Sequence, residues 1–248
     1  MADQIKINKM NSIEYKILKN KSIKLKINKN VFKPTGTSTE LLNAITKQKN
    51  FSGDILDLGC GSGYLSISLK KIFKKKINMY ASDLSKNAIK CAQENADLNN
   101  LEIFVKTGSI FSPWRNKKFD IIVNDISGVS SYISSISNWF DGVPCNSGCD
   151  GTKLVTKVLK ESKKYLKING QIIFPVLSLS NTEKILNLSN KYFQNVKLLS
   201  SREWLIPSSI MKHKKLLHDL RDKKLINFKE KFGLYLWTTD VYLASSIK

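Results

Sequence analysis

Apolar and polar positions alternate strictly along Ile23-Lys24-Leu25-Lys26-Ile27-Asn28, and more loosely from Ile13 to Leu18, with Lys19-Asn20-Lys21 between the two runs. A period of two marks half-buried strands, and the pair predicts a β-hairpin. Residues 1–30 are therefore expected to be an N-terminal β-hairpin extension, and residues 31–248 the main domain. From residue 31 the pattern changes to short apolar runs alternating with helical periodicity. Pro34 and Gly36 mark a loop, and Thr37 or Ser38 is placed to cap a helix carrying Leu41, Leu42 and Ile45. Strands are expected at 54–58, 77–83, 101–107, 119–123, 171–177, 196–200 and 233–244. Helices are expected between them: after residue 64, at 85–99, after residue 152, at 181–192 and, as one basic amphipathic helix, at 207–224. Strand–helix alternation of this kind predicts a mostly parallel sheet with helices on both faces.

The stretch that organises the chain is Asp57-Leu58-Gly59-Cys60-Gly61-Ser62-Gly63-Tyr64, between the first strand of the sheet and the helix carrying Leu65, Ile67, Leu69 and Ile72. A glycine turn at a helix N-terminus lets bare N–H groups approach a ligand. A dinucleotide site wants G-x-G-x-x-G. Here the third glycine of that fingerprint would fall at Tyr64, so the nicotinamide reading is the weaker one. Asp-x-Gly-x-Gly-x-Gly after an apolar strand resembles the first motif of the class I methyltransferases, which bind S-adenosyl-L-methionine. That resemblance implies a Rossmann-like seven-stranded mixed sheet with an antiparallel last strand. It makes residues 31–248 a methyltransferase domain.

The resemblance also implies site residues. Asp57 orients the cofactor, and Gly59, Cys60, Gly61 and Gly63 form the turn beneath its methionine portion. Asp83, ending the next strand, holds the ribose with Leu84 beside it, and Ser109 and Ile110 flank the adenine. Phe32-Lys33-Pro34, the hydroxyl residues after it and Glu40-Leu41-Leu42 are similar to the segment that covers the methionine end in HemK-type enzymes, which adds Thr37 and Phe32. Gly148, Asp150 and Gly151 match that branch's Gly-x-Asp-Gly element, and Tyr165-Leu166-Lys167 before Gly170 is a further hallmark. HemK-type enzymes carry Asn-Pro-Pro-Tyr after the strand that holds the methyl acceptor. This chain keeps Asn124, which also belongs to the cofactor set, but has Asp125-Ile126-Ser127 in place of the prolines and the aromatic. Asn124 and Asp125 are the candidate catalytic pair, with Asp125 either binding and deprotonating the acceptor or capping the following turn. Trp139 and Phe140 are candidates for the acceptor wall.

Charge changes the picture less than its size implies. The 248 residues carry 41 Lys and Arg against 20 Asp and Glu, a net charge of +21. Nearly all of the excess is lysine, whereas specific phosphate and base contacts favour arginine forks. The expected acceptor is a protein side chain, with an rRNA or tRNA base, a small molecule and a non-catalytic cofactor-binding scaffold as the open alternatives. Cys145 and Cys149 lack the further ligands a zinc site needs, so no metal is expected. The absence of an apolar run of membrane-spanning length, together with sparse cysteines, points to a reduced, cytoplasmic protein that makes no membrane contact.

Overall fold

The computed structural model describes residues 12–126, 128–140, 143 and 145–248. Residues 1–11 of the extension, Ser127, and Gly142 and Pro144 after the candidate aromatics lie outside the described residues. The hairpin is present as β1 (Ile13–Leu18) and β2 (Lys21–Leu25), paired antiparallel. The main sheet comprises β3 (Gly53–Leu58), β4 (Ile77–Asp83), β5 (Phe104–Thr107), β6 (Phe119–Asn124), β7 (Leu166–Leu177), β8 (Phe193–Leu205) and β10 (Leu234–Ile247). These seven strands run in the order β5-β4-β3-β6-β7-β10-β8. β3 to β7 pair parallel, and β10 lies antiparallel to both β7 and β8. This is the mixed sheet of the class I methyltransferase fold.

The helices are α1 (Gly36–Thr46), α2 (Tyr64–Phe73), α3 (Lys86–Leu98), α4 (Ser131–Ile136), α5 (Lys153–Ser162), α6 (Thr182–Tyr192), α7 (Ser208–Met211) and α8 (Lys214–Asp222). Neighbouring residues of each central strand go to opposite faces. Ile55, Met79, Ile121 and Val123 pack with Leu41 and Ile45 of α1 and Leu65, Ile67 and Leu69 of α2. Leu56, Leu58, Ile122 and Phe174 pack with Val155, Val158 and Leu159 of α5 and Ile185 of α6. The hairpin belongs to the first layer, since Ile17, Ile23 and Leu25 are buried in it. Asn95 of α3 ties it down: Lys26 N donates to Asn95 Oδ1 at 2.7 Å, while Asn95 Nδ2 donates to the carbonyls of Lys26 and Ser62, each at 2.9 Å. One buried amide thus joins the hairpin to the glycine turn.

Several elements differ from the sequence pattern, each for a local reason. β9 (Lys229–Lys231) adds an eighth strand on β10, built from three exposed charged residues with no apolar signal. β8 runs well beyond 196–200 because it is an edge strand, largely exposed and without alternation. Gly170 lies inside β7 instead of preceding it. The expected helix at 207–224 is two helices, broken where His213 leaves helical backbone geometry at φ −107° and ψ 36°. Among the described residues, no helix is long and apolar enough to cross a membrane.

Candidate functional site

The parallel strands end on one side of the sheet, and there they open into a cavity of about 410 Å³. In open α/β sheets ligands collect at this edge, outside the carboxyl ends of the strands. The glycine turn forms its base. Gly59, Gly61 and Gly63 all have positive φ, at 77°, 52° and 82°. The turn is stitched to the end of β4, because Gly59 N and Cys60 N both donate to Ser82 O at 2.9 and 3.1 Å, and Gly61 N donates to Asp83 Oδ2 at 3.0 Å. The N–H groups of Gly59, Cys60 and Gly61 are therefore spent on β4 instead of being held bare for a ligand, and that of Gly63 donates within the turn to Cys60 O at 2.7 Å. What the glycines provide is the left-handed backbone and the close approach: a Cβ on Gly59 would sit 2.9 Å from Ile126 Cγ1.

Asp83 stands at the tip of β4 with its carboxylate braced at both oxygens, since Ser85 N donates to Oδ1 at 2.8 Å. Each oxygen keeps a lone pair, and the residue lines the cavity together with Ser82 and Leu84. Gly108, Ser109 and Ile110 also line it, as do Phe32, Thr35, Gly36 and Thr37. A carboxylate at a strand tip, a side-chain-free turn and an apolar wall fit a ribose diol, an amino-acid portion and an aromatic base in that order. The donor set present therefore suits S-adenosylmethionine.

Of the residues expected from sequence, Thr37, Gly59, Gly61, Asp83, Leu84, Ser109, Ile110 and Asp125 line the cavity. Asp57, Cys60, Gly63 and Asn124 do not. Asp57 is fully buried and accepts a hydrogen bond from Ser66 Oγ, while its other oxygen has no partner among the described residues. Burial pushes its carboxyl up to about 7, despite the Ser66 hydrogen bond, and Asp125 and Asp83 push it further in the same direction. Burial likewise pushes the Cys60 thiol up. Gly63 precedes α2 and packs on Ala92 and Ile67. Asn124 is fully buried, and neither polar atom of its side-chain amide has a hydrogen-bond partner among the described residues.

Asp125 is the side chain that reaches the cavity from the end of β6. Its backbone N donates to Leu58 O at 3.1 Å, and its Oδ2 accepts from Ser38 Oγ at 2.7 Å. Burial pushes its carboxyl up to about 6, and the Ser38 hydrogen bond works against that rise. The Ser38 bond lies at the start of α1. The N-cap is Thr35, without a side-chain capping bond, and the two hydroxyls expected to cap are engaged elsewhere: Ser38 with Asp125, and Thr37 Oγ1 3.4 Å from Thr239 Oγ1.

Beyond Asp125 the cavity is walled by Trp139 and Phe140, the two candidates from the sequence, and by Trp204 and Trp237, which sequence reasoning missed. Their strand residues look like ordinary sheet aromatics, and only the pairing of Trp237 with Trp204 across β10 and β8 brings them to the cavity. The Gly-x-Asp-Gly element lies behind the site. Burial alone would raise the Asp150 carboxyl, but hydrogen bonds from Lys184 and Thr152 hold it below its ordinary value. Gly151, at φ 72°, leaves no room for a Cβ beside Ser130 N and Val129 C, both at 2.7 Å. This element braces the loop beneath the cavity. Cys145 lines the cavity. Among the described residues no group of three or more His, Cys, Asp or Glu is placed to hold a metal ion.

Comparison with known proteins bears on the family and the fold. A family model described as the methyltransferase small domain matches residues 23–125. A protein of Methanocaldococcus jannaschii, named provisionally as a protein N5-glutamine methyltransferase, is 31% identical over 179 residues, which covers 69% of this chain and 84% of its own length. A release factor glutamine methyltransferase of Thermodesulfovibrio yellowstonii is 28% identical across 68% of this chain and 63% of its own length. A ribosomal protein L11 methyltransferase of Caldicellulosiruptor bescii is 39% identical over 116 residues, 46% of this chain and 37% of its own length. The chain thus spans less than two thirds of these last two relatives. Among solved structures, a 16S rRNA N2 G1207 methyltransferase of Thermus thermophilus in complex with AdoMet and guanosine aligns with TM-score 0.60 and 15% identity, over 95% of this chain and 50% of that one. A ribosomal protein L11 methylase of Lactobacillus delbrueckii aligns with TM-score 0.56 and 16% identity, over 92% of this chain and 97% of that one. At these identities the two structures speak to the fold alone. With its sheet order, its glycine turn and a relative matched over most of its length, the chain belongs to the class I S-adenosylmethionine-dependent methyltransferases, in the methyltransferase small domain branch that includes HemK-like enzymes.

Proposed function

We propose that this methyltransferase acts on a nitrogen atom of a polypeptide, with Asp125 accepting an N–H of the acceptor. The observation that carries the reading is the position of Asp125: it is the carboxylate at the end of β6 that lines the cavity, while Asn124 is buried away from it. In this reading Asp83 accepts the ribose hydroxyls, and Thr37, Gly59 and Gly61 flank the methionine portion. Leu84, Ser109 and Ile110 enclose the adenine. Asp57, Cys60, Gly63 and Asn124 shape the turn and the strand end from behind.

Bound S-adenosylmethionine supplies a methyl group already activated on a sulfonium. The chain is then left with positioning and proton management. Holding the acceptor nitrogen in line with the methyl carbon and the sulfur supplies most of the acceleration. A carboxylate titrating near 6 is ionised at neutral pH, yet is a better proton acceptor than an ordinary aspartate. A polypeptide acceptor is favoured by the protein acceptors named for the relatives and by the cavity's charge. Among the described residues that line it there is no Lys or Arg, whereas a phosphate-bearing acceptor calls for them. The lysine excess lies elsewhere, on the surface.

The test is transfer of labelled methyl groups from S-adenosylmethionine into a fractionated lysate of the source cell. Label that protease removes supports a polypeptide acceptor. Label that nuclease removes instead, or that stays in the small-molecule fraction, overturns it. An Asp125→Asn variant is expected to bind the cofactor normally and to transfer far more slowly; full activity would reduce Asp125 to a structural residue.

A further inference from the structure

Past Asp125 the cavity becomes apolar, lined by Val129, Leu154 and Leu177 with three indoles, Trp139, Trp204 and Trp237. These come from three separate parts of the chain: the segment after α4, β8 and β10. The Trp139 and Trp237 ring centroids are 5.3 Å apart, and those of Trp204 and Trp237 6.2 Å apart. The row is held firmly. Trp204 Nε1 donates to Thr239 Oγ1 at 3.1 Å, and the Arg202 guanidinium lies 4.3 Å from the Trp204 ring centroid. Arg202 is in turn paired with the buried Glu40 at 3.8 Å. Gly36 leaves the space for the ring, because a Cβ there would come within 2.7 to 3.0 Å of three of its atoms.

A core that needed only bulk at this point would be served by aliphatic side chains, with no indole N–H to satisfy and no cation to stack. An anchored aromatic wall at the end of a ligand cavity is a preorganised surface. Its edges and faces favour another aromatic ring over a saturated group of equal size. The segment from Asp125 to Val129 contains no aromatic residue, so a planar acceptor entering beside Asp125 has no ring to meet on that side. It meets the indoles across the cavity.

We propose that the tryptophan-walled end of the cavity is a specificity subsite for an aromatic group carried by the acceptor within a few bonds of the nitrogen that is methylated. The proposal rests on the reading of Asp125 as the residue that meets the acceptor. The ring belongs either to an aromatic residue of the polypeptide or to a small aromatic amide or amine.

The test needs no turnover. The full chain, saturated with S-adenosylhomocysteine, is titrated with benzamide and with cyclohexanecarboxamide, two amides of similar size, and binding is followed by calorimetry or ligand-observed NMR. Benzamide is expected to bind about 2- to 10-fold more tightly. Trp139→Leu, on a half-buried segment, and Trp237→Leu are each expected to erase that preference while leaving S-adenosylhomocysteine affinity unchanged. Equal binding of the two amides, or a preference that survives both variants, overturns the proposal. So does a parallel loss of S-adenosylhomocysteine affinity in Trp139→Leu, which would make the wall part of the cofactor site. Acetyl-phenylalanyl-glutaminamide against acetyl-alanyl-glutaminamide then separates the sources. A preference for the phenylalanyl peptide assigns the ring to a polypeptide, and a benzamide preference without it assigns the ring to a small molecule. An inert enzyme that still prefers benzamide would sink the methyl-transfer reading alone, and an active enzyme with no ring preference would sink this inference alone.

Discussion

Ser38 Oγ donates to Asp125 Oδ2 at 2.7 Å, joining the first turn of α1 to the end of β6. The bond stabilises the ionised carboxylate and offsets part of the burial that raises it to about 6. Methyl transfer that depends on ionised Asp125 should therefore be weak below about pH 6 and rise as the pH passes through that value. Removing the hydroxyl in Ser38→Ala takes away a charge-assisted hydrogen bond worth about 1.5–3 kcal/mol, so the rising limb should move to higher pH by about 1–2 units. The profile of kcat/KM against pH checks this. A limb that stays where it is in Ser38→Ala would mean that another group sets it.

Asp83 is braced by Gly61 N and Ser85 N and presents its free lone pairs to the cavity. Asp83→Ala should lose the acceptor for both ribose hydroxyls and free the Gly61 N–H as well. Two hydrogen bonds to a charged group correspond to roughly a 100- to 10,000-fold loss of cofactor affinity. Equilibrium dialysis with labelled S-adenosylmethionine measures it. Unchanged affinity would remove Asp83 from the cofactor site.

The fold was legible in the sequence because its signals are local. Glycine at alternate positions after 54–58 fixed the strand–turn–helix unit, and the strict alternation at 23–28 fixed the hairpin. The acceptor end was less legible. Trp204 and Trp237 reach the cavity only through the antiparallel pairing of β8 with β10, a relation between residues far apart in the chain. The roles of Asn124 and Asp125 could not be separated by spacing, since adjacent strand residues face opposite sides. In the structure Asn124 ends β6 fully buried, and Asp125, the next residue, lines the cavity. Ser38 read as a helix cap because its partner lies 87 positions along the chain.

Asp57 makes stability depend on pH. Its carboxyl titrates near 7 in the folded chain against an ordinary 3.8, so between those values the folded state holds a proton that the unfolded state has released. The contribution is fully present below about pH 4 and is lost as the pH rises through about 7. Going from pH 5 to pH 8 should cost the wild type on the order of 2 kcal/mol more than Asp57→Asn, which cannot ionise there. Urea unfolding of both chains at the two pH values, without cofactor, gives the difference directly. Equal slopes would show that Asp57 stays ionised in the folded chain.

The three glycines of the turn should fail in different ways. Gly59 has φ 77°, and a methyl group there would meet Ile126 Cγ1 at 2.9 Å and Ile126 Cα at 3.3 Å. Gly59→Ala must adopt a left-handed backbone, at about 1–2 kcal/mol, and must also displace the residue next to Asp125. Both cofactor affinity and transfer should drop. In Gly63→Ala the methyl group would press on Ala92 and Ile67 at 3.1 Å, inside the α2–α3 packing and away from the cavity. That variant should lose a comparable amount of stability while keeping cofactor affinity once folded. Gly61→Ala has the mildest geometry, with φ 52° and the nearest atom, Phe32 O, at 3.4 Å. Its methyl group would stand in the cavity, so its loss should appear in affinity more than in stability. Thermal melting with and without S-adenosylmethionine separates the two effects. If all three variants lose stability and affinity in the same proportion, the turn acts as one rigid unit and the division of labour drawn from its Cβ contacts is wrong.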